Sequence, residues 1–270
     1  MVRKILQKYG IRGGCHDQHF LIDERSLDSI VDQAELSEKD VVLEIGGGIG
    51  NLTERLLEKA GKVYVIELDP ALVHVLKDRF SDNEKIEIIP GDVLKLDLPK
   101  FNKVVANLPY SISSPITFKL FKHEFELGIL MYQYEFAQRM VAKANTEDYS
   151  RLSVNTHYFA DADIIMKIPP SAFSPPPEVW SAVVKVVPRP SSFHVEDPQF
   201  FLDLVTAVFL QRRKKLRNAI IKGNHLLNVP NIKQIVAELP EEFMSKRAEN
   251  LEPHELAEIA NHIFKMKATS

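Results

Sequence analysis

Short continuous apolar runs alternate with stretches whose apolar positions recur every three or four residues through most of the first half of the chain. The runs at 41–45, 62–67, 86–89, 103–107 and 127–131 have the length and β-branched content of buried strands. Between them, Leu52, Leu56 and Leu57 mark a helix over 51–60, and Leu72, Val73, Val75, Leu76 and Phe80 a second. A third runs through 115–121, and Leu27, Ile30, Val31 and Ala34 place an earlier one over 24–36. Strands alternating with helices at short spacing predict an α/β fold with a mostly parallel, doubly wound sheet. In such a sheet, right-handed crossovers bring the strands' C-terminal ends, and any ligand, to one edge.

The pattern then changes. Helices are expected over 134–143 and 151–160, β-rich runs over 163–168 and 181–187, and a proline-rich irregular loop over 169–180. Pro188, Pro190 and the serines beyond them read as a linker, after which every segment is helical: about 198–210, 214–222, 231–237 and 253–265. Two domains follow, 1–190 and a small all-α domain over 191–270. Residues 1–23, broken by Gly10, Gly13 and Gly14, read as an arm.

At 270 residues, with 45% hydrophobic and 26% charged, the composition is that of an ordinary globular protein. No apolar stretch approaches the roughly 20 residues of a membrane span. The single cysteine, Cys15, excludes an internal disulfide and suggests a reducing, cytoplasmic setting. Cys15, His16 and His19 lie close in sequence without a second ligand cluster, a poor match to zinc spacing. Net charge is −3, yet residues 211–222 hold six bases (Arg212, Arg213, Lys214, Lys215, Arg217, Lys222) and no acid. A solvated helix face is the ordinary explanation of a charge run; six cations with no intervening acid point instead toward a polyanion.

The candidate chemistry lies at the strand ends. The first strand closes on Glu44 and a turn, Gly46-Gly47-Gly48-Ile49-Gly50, that no register turns into the dinucleotide fingerprint. Glu67 ends the second strand, placed to hold a ribose diol, as it would be for either a nicotinamide or a methyl-donor nucleotide. Asp92, after Gly91 at the third strand's end, suits an exocyclic adenine amine, though an exposed turn aspartate is the plainer alternative. Asn107-Leu108-Pro109-Tyr110 ends the fourth strand and resembles the [DNS]-P-P-[YFW] motif of methyltransferases that act on the exocyclic amino groups of adenine and cytosine, which implies the following chemistry. Adenine N6 is a poor nucleophile because its lone pair is delocalised. An amide oxygen and a backbone carbonyl accepting from its N–H groups would localise that pair. Pro109 fixes the turn, and Tyr110 offers a face on which a base stacks, an interaction worth roughly 1–3 kcal/mol.

These motifs resemble the ribosomal RNA adenine N6,N6-dimethyltransferase family (the KsgA/Dim1 group), in an archaeal or eukaryotic-like form. The resemblance rests on Gln18-His19-Phe20-Leu21, the Glu44–Gly50 turn, Asn107 to Ser113, Glu135 to Ala142, Phe173 to Val179, residues 211–218 and Arg247 to Leu251. It implies a Rossmann-like class I S-adenosylmethionine (SAM) methyltransferase sheet with a small helical C-terminal domain. It also implies SAM as methyl donor, no metal, and contacts to SAM from His19, Leu21, Gly46, Gly48, Glu67, Asp92, Val93 and Asn107. Catalysis would fall on Asn107, Pro109, Tyr110 and Phe173, with Phe173 closing over the target base opposite Tyr110. Alternatively, Phe173 is a core residue in a proline-held loop. Arg212, Arg213, Lys214, Lys215 and Arg217 would bind RNA. The implied substrate is two adjacent adenosines in the 3′-terminal hairpin loop of small-subunit rRNA, within a pre-ribosomal small subunit during its maturation. The implied enzyme is cytoplasmic and monomeric. A large-subunit rRNA methylase of the erythromycin-resistance type, a DNA adenine methylase and a non-catalytic assembly factor with this fold remain as alternatives. Two departures stand out: His19 replaces an asparagine of the bacterial pattern, and Gly47 a frequent proline, which is expected to loosen the turn.

Overall fold

The computed structural model of the chain describes residues 2–11 and 18–269. Cys15 and His16, weighed above as metal ligands, lie outside them. The N-terminal segment is more than an arm: it forms α1 (Val2–Lys8) and the short strand β1 (Phe20–Leu21). Ile5, Leu6 and Tyr9 pack against a buried group of Phe20, Ile49, Leu72 and Val75. The helix therefore forms by docking, which local propensity does not reveal.

Next come α2 (Glu24–Gln33), β2 (Val41–Ile45), α3 (Asn51–Lys59), β3 (Lys62–Glu67), α4 (Pro70–Arg79) and β4 (Ile86–Pro90). Asp23 caps α2 through the Ser26 N–H, and Asp69 caps α4 with Pro70 at its first position. β5 (Lys103–Asn107), α5 (Ser113–Leu120), β6 (Leu127–Gln133), α6 (Tyr134–Val141) and α7 (Arg151–Phe159) follow. They lead into β7 (Ala160–Ile168), β8 (Phe173–Ser174) and β9 (Ser181–Pro188). Among the described residues, seven strands form one sheet in the order β4-β3-β2-β5-β6-β9-β7. β2 runs parallel to β3 and β5, β5 parallel to β6, and β9 antiparallel to β6. The strand order reverses between β2 and β5, and it is outside the carboxyl ends at such a switch point that ligands bind. The proline-rich loop holds more order than expected. A 3₁₀ turn spans Pro170–Ala172, and β8 pairs antiparallel with β1, Leu21 opposite Phe173.

The chain ends in α8 (Pro198–Phe209), α9 (Leu216–Leu227), α10 (Ile232–Glu238), α11 (Glu241–Met244) and α12 (Pro253–Thr269). α9 runs past its expected end through Gly223, where a Cβ would stand 2.5 Å from that of Ala207 on α8. That glycine is the point of close helix approach, and Asn228 in the left-handed region caps the helix.

The chain divides into two compact units: residues 1–137 with 162–188, and residues 138–161 with 189–270. The second break falls at the proline-rich linker. The segment 138–161, assigned to the first domain from sequence, packs instead with the C-terminal helices, because Tyr149 and Val154 share a buried cluster with Phe201, Leu204, Val205 and Leu251. The Tyr149 hydroxyl donates to the Leu251 carbonyl at 2.9 Å within it.

Candidate active site

A cavity of about 590 Å³ opens in the first unit, at the carboxyl ends of β2, β3 and β5. Its size is that of a small-molecule site. One wall is the glycine turn. Gly46 and Gly48 sit at φ 76° and 56°, the left-handed region that side-chain-bearing residues disfavour. The turn thereby exposes its backbone to the cavity. Gly47 is not loose: a Cβ there would lie 2.4 Å from Val65 Cγ1 and 3.0 Å from Leu76 Cδ1. Its missing side chain lets the turn pack down onto β3 and α4.

Glu67 closes the neighbouring wall. Its carboxylate accepts from the Gly48 N–H and the Asp69 N–H, both at 2.9 Å. Burial raises its pKa, and the backbone donors oppose that shift. Backbone N–H groups of Gly48, Leu68 and Asp69 bond this carboxylate, and a carboxylate's roughly four acceptor positions still leave capacity for a further donor. Asp92 also lines the cavity. The Leu94 N–H bonded to it at 2.9 Å, with Lys95 beside it, holds its carboxyl below the usual range, so it is an ionised acceptor. The donor set thus fits an adenosine: a glycine turn, a diol acceptor and an amine acceptor on three successive strand ends. Glu44, fully buried behind the turn, bonds the Thr53 hydroxyl at 2.6 Å. Burial first, then the nearby Glu67 charge, push it up to about 8, so it is a neutral acid at physiological pH.

β5 delivers Asn107 to the same cavity, with Leu108, Pro109 and Tyr110 following along its wall. The Asn107 amide nitrogen donates to the His19 carbonyl at 3.3 Å, which leaves Oδ1 as an acceptor. The Pro109 carbonyl already accepts from the Ile112 N–H, so Leu108 has the freer carbonyl. The Tyr110 hydroxyl is 2.6 Å from that of Ser181 at the start of β9.

His19 ties these parts together. Its ring bonds the Pro175 carbonyl through Nδ1 at 2.9 Å and lies 6.0 Å from the Tyr110 ring at 28° between planes. Leu21 and Val93 line the cavity as well. Sequence reasoning missed Gln18, bonded to Asp69 at 2.8 Å, Asn51, which donates to the Leu21 carbonyl, and Ser181. Their partners are far along the chain, so no local pattern signals them.

Phe173 departs from expectation. It is 3% exposed, packs with Leu21, Ala172, Ile168 and Val183, and does not line the cavity. β8 pairs with β1 here and the ring is buried in the core, which agrees with the alternative of a core residue in a proline-held loop. The basic loop also changes. Arg212 bonds Glu249 at 2.7 Å and the Glu147 carbonyl, and Arg217 pairs with Glu241. The charge run lacked acids only in sequence; folding supplies them. Among the described residues no carboxylate pairs with Arg213, Lys214, Lys215 or Lys222, and Lys222 depresses the pKa of Lys214. Among the described residues no group of three or more histidines, cysteines and acids gathers as a metal site.

A mostly parallel sheet carrying this turn, two strand-end acids and the Asn107–Tyr110 segment defines a class I SAM-dependent methyltransferase. Residues 15–252 match the ribosomal RNA adenine dimethylase family. The chain belongs to that family. It is 97% identical over 270 residues to the probable ribosomal RNA small subunit methyltransferase A of Methanococcoides burtonii, covering 100% of both chains. The crystal structure of a dimethyladenosine transferase from Plasmodium falciparum is similar with a TM-score of 0.80 and 33% identity, over 93% of this chain and 98% of that one. That of the 23S rRNA methyltransferase ErmE is similar with a TM-score of 0.67, over 91% of this chain and 99% of that one. Its 24% identity speaks for the fold alone.

Proposed function

We propose that this chain uses SAM to dimethylate N6 of two adjacent adenosines in the hairpin loop near the 3′ end of small-subunit rRNA. It would act as a cytoplasmic monomer on a pre-ribosomal small subunit. The observation that carries this reading is Asn107: its amide nitrogen donates to the His19 carbonyl, which leaves its oxygen as an acceptor, and the residue lines the cavity together with Tyr110. Bound SAM supplies an activated methyl group on a sulfonium. The protein's work is then positioning, with reacting atoms held about 3–3.5 Å apart. Glu67 holds the ribose hydroxyls, Asp92 the adenine amine, and the backbones of Gly46 and Gly48 the strand-one side of the donor; His19, Leu21 and Val93 complete that wall.

The target adenine must leave its stack to enter. Tyr110 receives its face, and the hydroxyl bond to Ser181 holds that ring in place. Asn107 Oδ1 and the Leu108 carbonyl accept from N6, drawing its lone pair out of conjugation. Pro109 sets the turn that aims them. His19 acts as a positioning residue here, linking Asn107, Tyr110 and the Pro175 loop. In the second unit, Arg213, Lys214, Lys215 and Lys222 bind RNA phosphates, while Arg212 and Arg217 brace their loop. No helix among the described residues is long and apolar enough to cross a membrane.

The test is incubation of labelled SAM with immature small subunits, followed by nucleoside analysis. N6,N6-dimethyladenosine at two neighbouring positions is expected. Label found only in large subunits or DNA, or no label, overturns the reading.

A further inference from the structure

The chain's single tryptophan is Trp180, and it is 46% exposed beside Val179 at 44%. Trp180 and Val179 together hold a contiguous apolar face in water, and it is contiguous patches, not single exposed residues, that mark contacts. Its setting is specific. Lys167 on β7 holds its ammonium 4.8 Å from the Trp180 ring centroid and 4.0 Å from that of Tyr134. The Trp180 carbonyl accepts from the Tyr134 N–H at 2.9 Å, so the residue's backbone is fixed at the junction of β6 and β9. The next residue is Ser181, whose hydroxyl bonds that of Tyr110. Gln133 at the end of β6 faces Ser181 in register, which puts this cluster at the sheet edge that carries the cavity.

We propose that Trp180, backed by Lys167 and Tyr134, is a stacking platform for an RNA nucleotide next to the adenine received by Tyr110. The proposal rests on the RNA-methylation reading above. Three observations favour a nucleotide. The platform is joined to the tyrosine proposed to receive the base through one residue, Ser181. Its chemistry is an aromatic face with one cation, the pairing that single-stranded RNA sites use. The nearby exposed Glu178 opposes dense phosphate binding, so this patch reads bases by stacking and differs from the cationic loop of the second unit. Two adjacent target adenosines need a place for the one not being methylated, and a platform one residue from Ser181 provides it.

The lone tryptophan makes the test direct. Titration of the full chain with a short single-stranded oligoadenosine RNA should quench Trp180 emission along the same curve that fluorescence anisotropy of the labelled RNA gives. Trp180→Ala should raise KM for immature small subunits about tenfold. Trp180→Phe should recover most of that loss, and the dissociation constant for SAM should stay within twofold in both variants. Lys167→Ala should weaken the quench.

RNA binding without any change in emission overturns the platform, as does a Trp180→Ala enzyme with unaltered KM. Raised KM for subunits with RNA-insensitive emission assigns Trp180 to a protein contact and overturns it too. If the unaltered chain fails to methylate small subunits, the underlying reading falls first. If it methylates them and Trp180→Ala does so equally well, only the platform falls.

Discussion

Asn107 shows how one hydrogen bond decides a residue's chemistry. Because its nitrogen is committed to His19, its oxygen is left as an acceptor, and an alanine there removes the group proposed to localise the N6 lone pair. Asn107→Ala is expected to slow single-turnover methyl transfer by about 10²-fold. SAM affinity, read by calorimetry, should fall far less; a variant with full activity would falsify the mechanism. Glu44 makes a different prediction. Its pKa is 4.5 in the open chain and about 8 when folded, so the folded protein favours the protonated form. Stability from this group is complete below the unfolded value and is lost as pH rises through the folded one, by about 1.4 kcal/mol per unit. Glu44→Gln keeps the acceptor for Thr53 and removes that slope. Its thermal stability should equal the parent's near pH 4.5 and exceed it increasingly up to pH 8; a pH-independent difference sinks the idea. The acids at the strand ends, Glu67 and Asp92, and Asn107 to Tyr110 were legible because each closes an apolar run or stands within a short turn of its end. The His19 hub was not, since its partners lie at 107, 110 and 175.

The strands β2, β3, β5 and β6 show in sequence as continuous apolar runs because neighbours cover both faces. Elements stabilised by distant partners do not show. Docking against Phe20 and Leu72 makes α1, and pairing with β1 makes β8, which is also what buries Phe173. The connection between α8 and α9 adds a case in charge. Six bases without an acid looked uniform, yet Glu249 and Glu241 arrive from elsewhere to pair with Arg212 and Arg217. Replacing Arg213, Lys214, Lys215 and Lys222 with glutamine should therefore flatten the salt dependence of RNA binding. The slope of log K against log salt should fall by roughly 0.7–0.9 for each phosphate that is no longer neutralised. Arg212→Gln with Arg217→Gln should leave that slope nearly unchanged. Equal effects of the two sets, measured by anisotropy across a salt series, would contradict the division.

At the scale of the whole chain, the linker near residue 190 was legible from its prolines, but the discontinuity of the second unit was not. Nothing local in 138–161 says that Tyr149 and Val154 belong with Phe201 and Leu251. A fragment of residues 191–270 lacks those side chains and should give no cooperative thermal transition by circular dichroism. Adding 138–161 in trans should restore helical signal; a fragment that melts cooperatively alone shows that the inserted segment is dispensable. The same discontinuity has a consequence for synthesis. Every described residue lining the cavity lies between positions 18 and 112, whereas Ser181, which steadies Tyr110, emerges later, and β7 reaches the sheet only through β9. A ribosome adds about 5–20 residues per second, so a nascent chain holds the makings of its donor pocket seconds before it can steady a base. On the proposed function, the order of translation sets the methyl donor's place ahead of the RNA's.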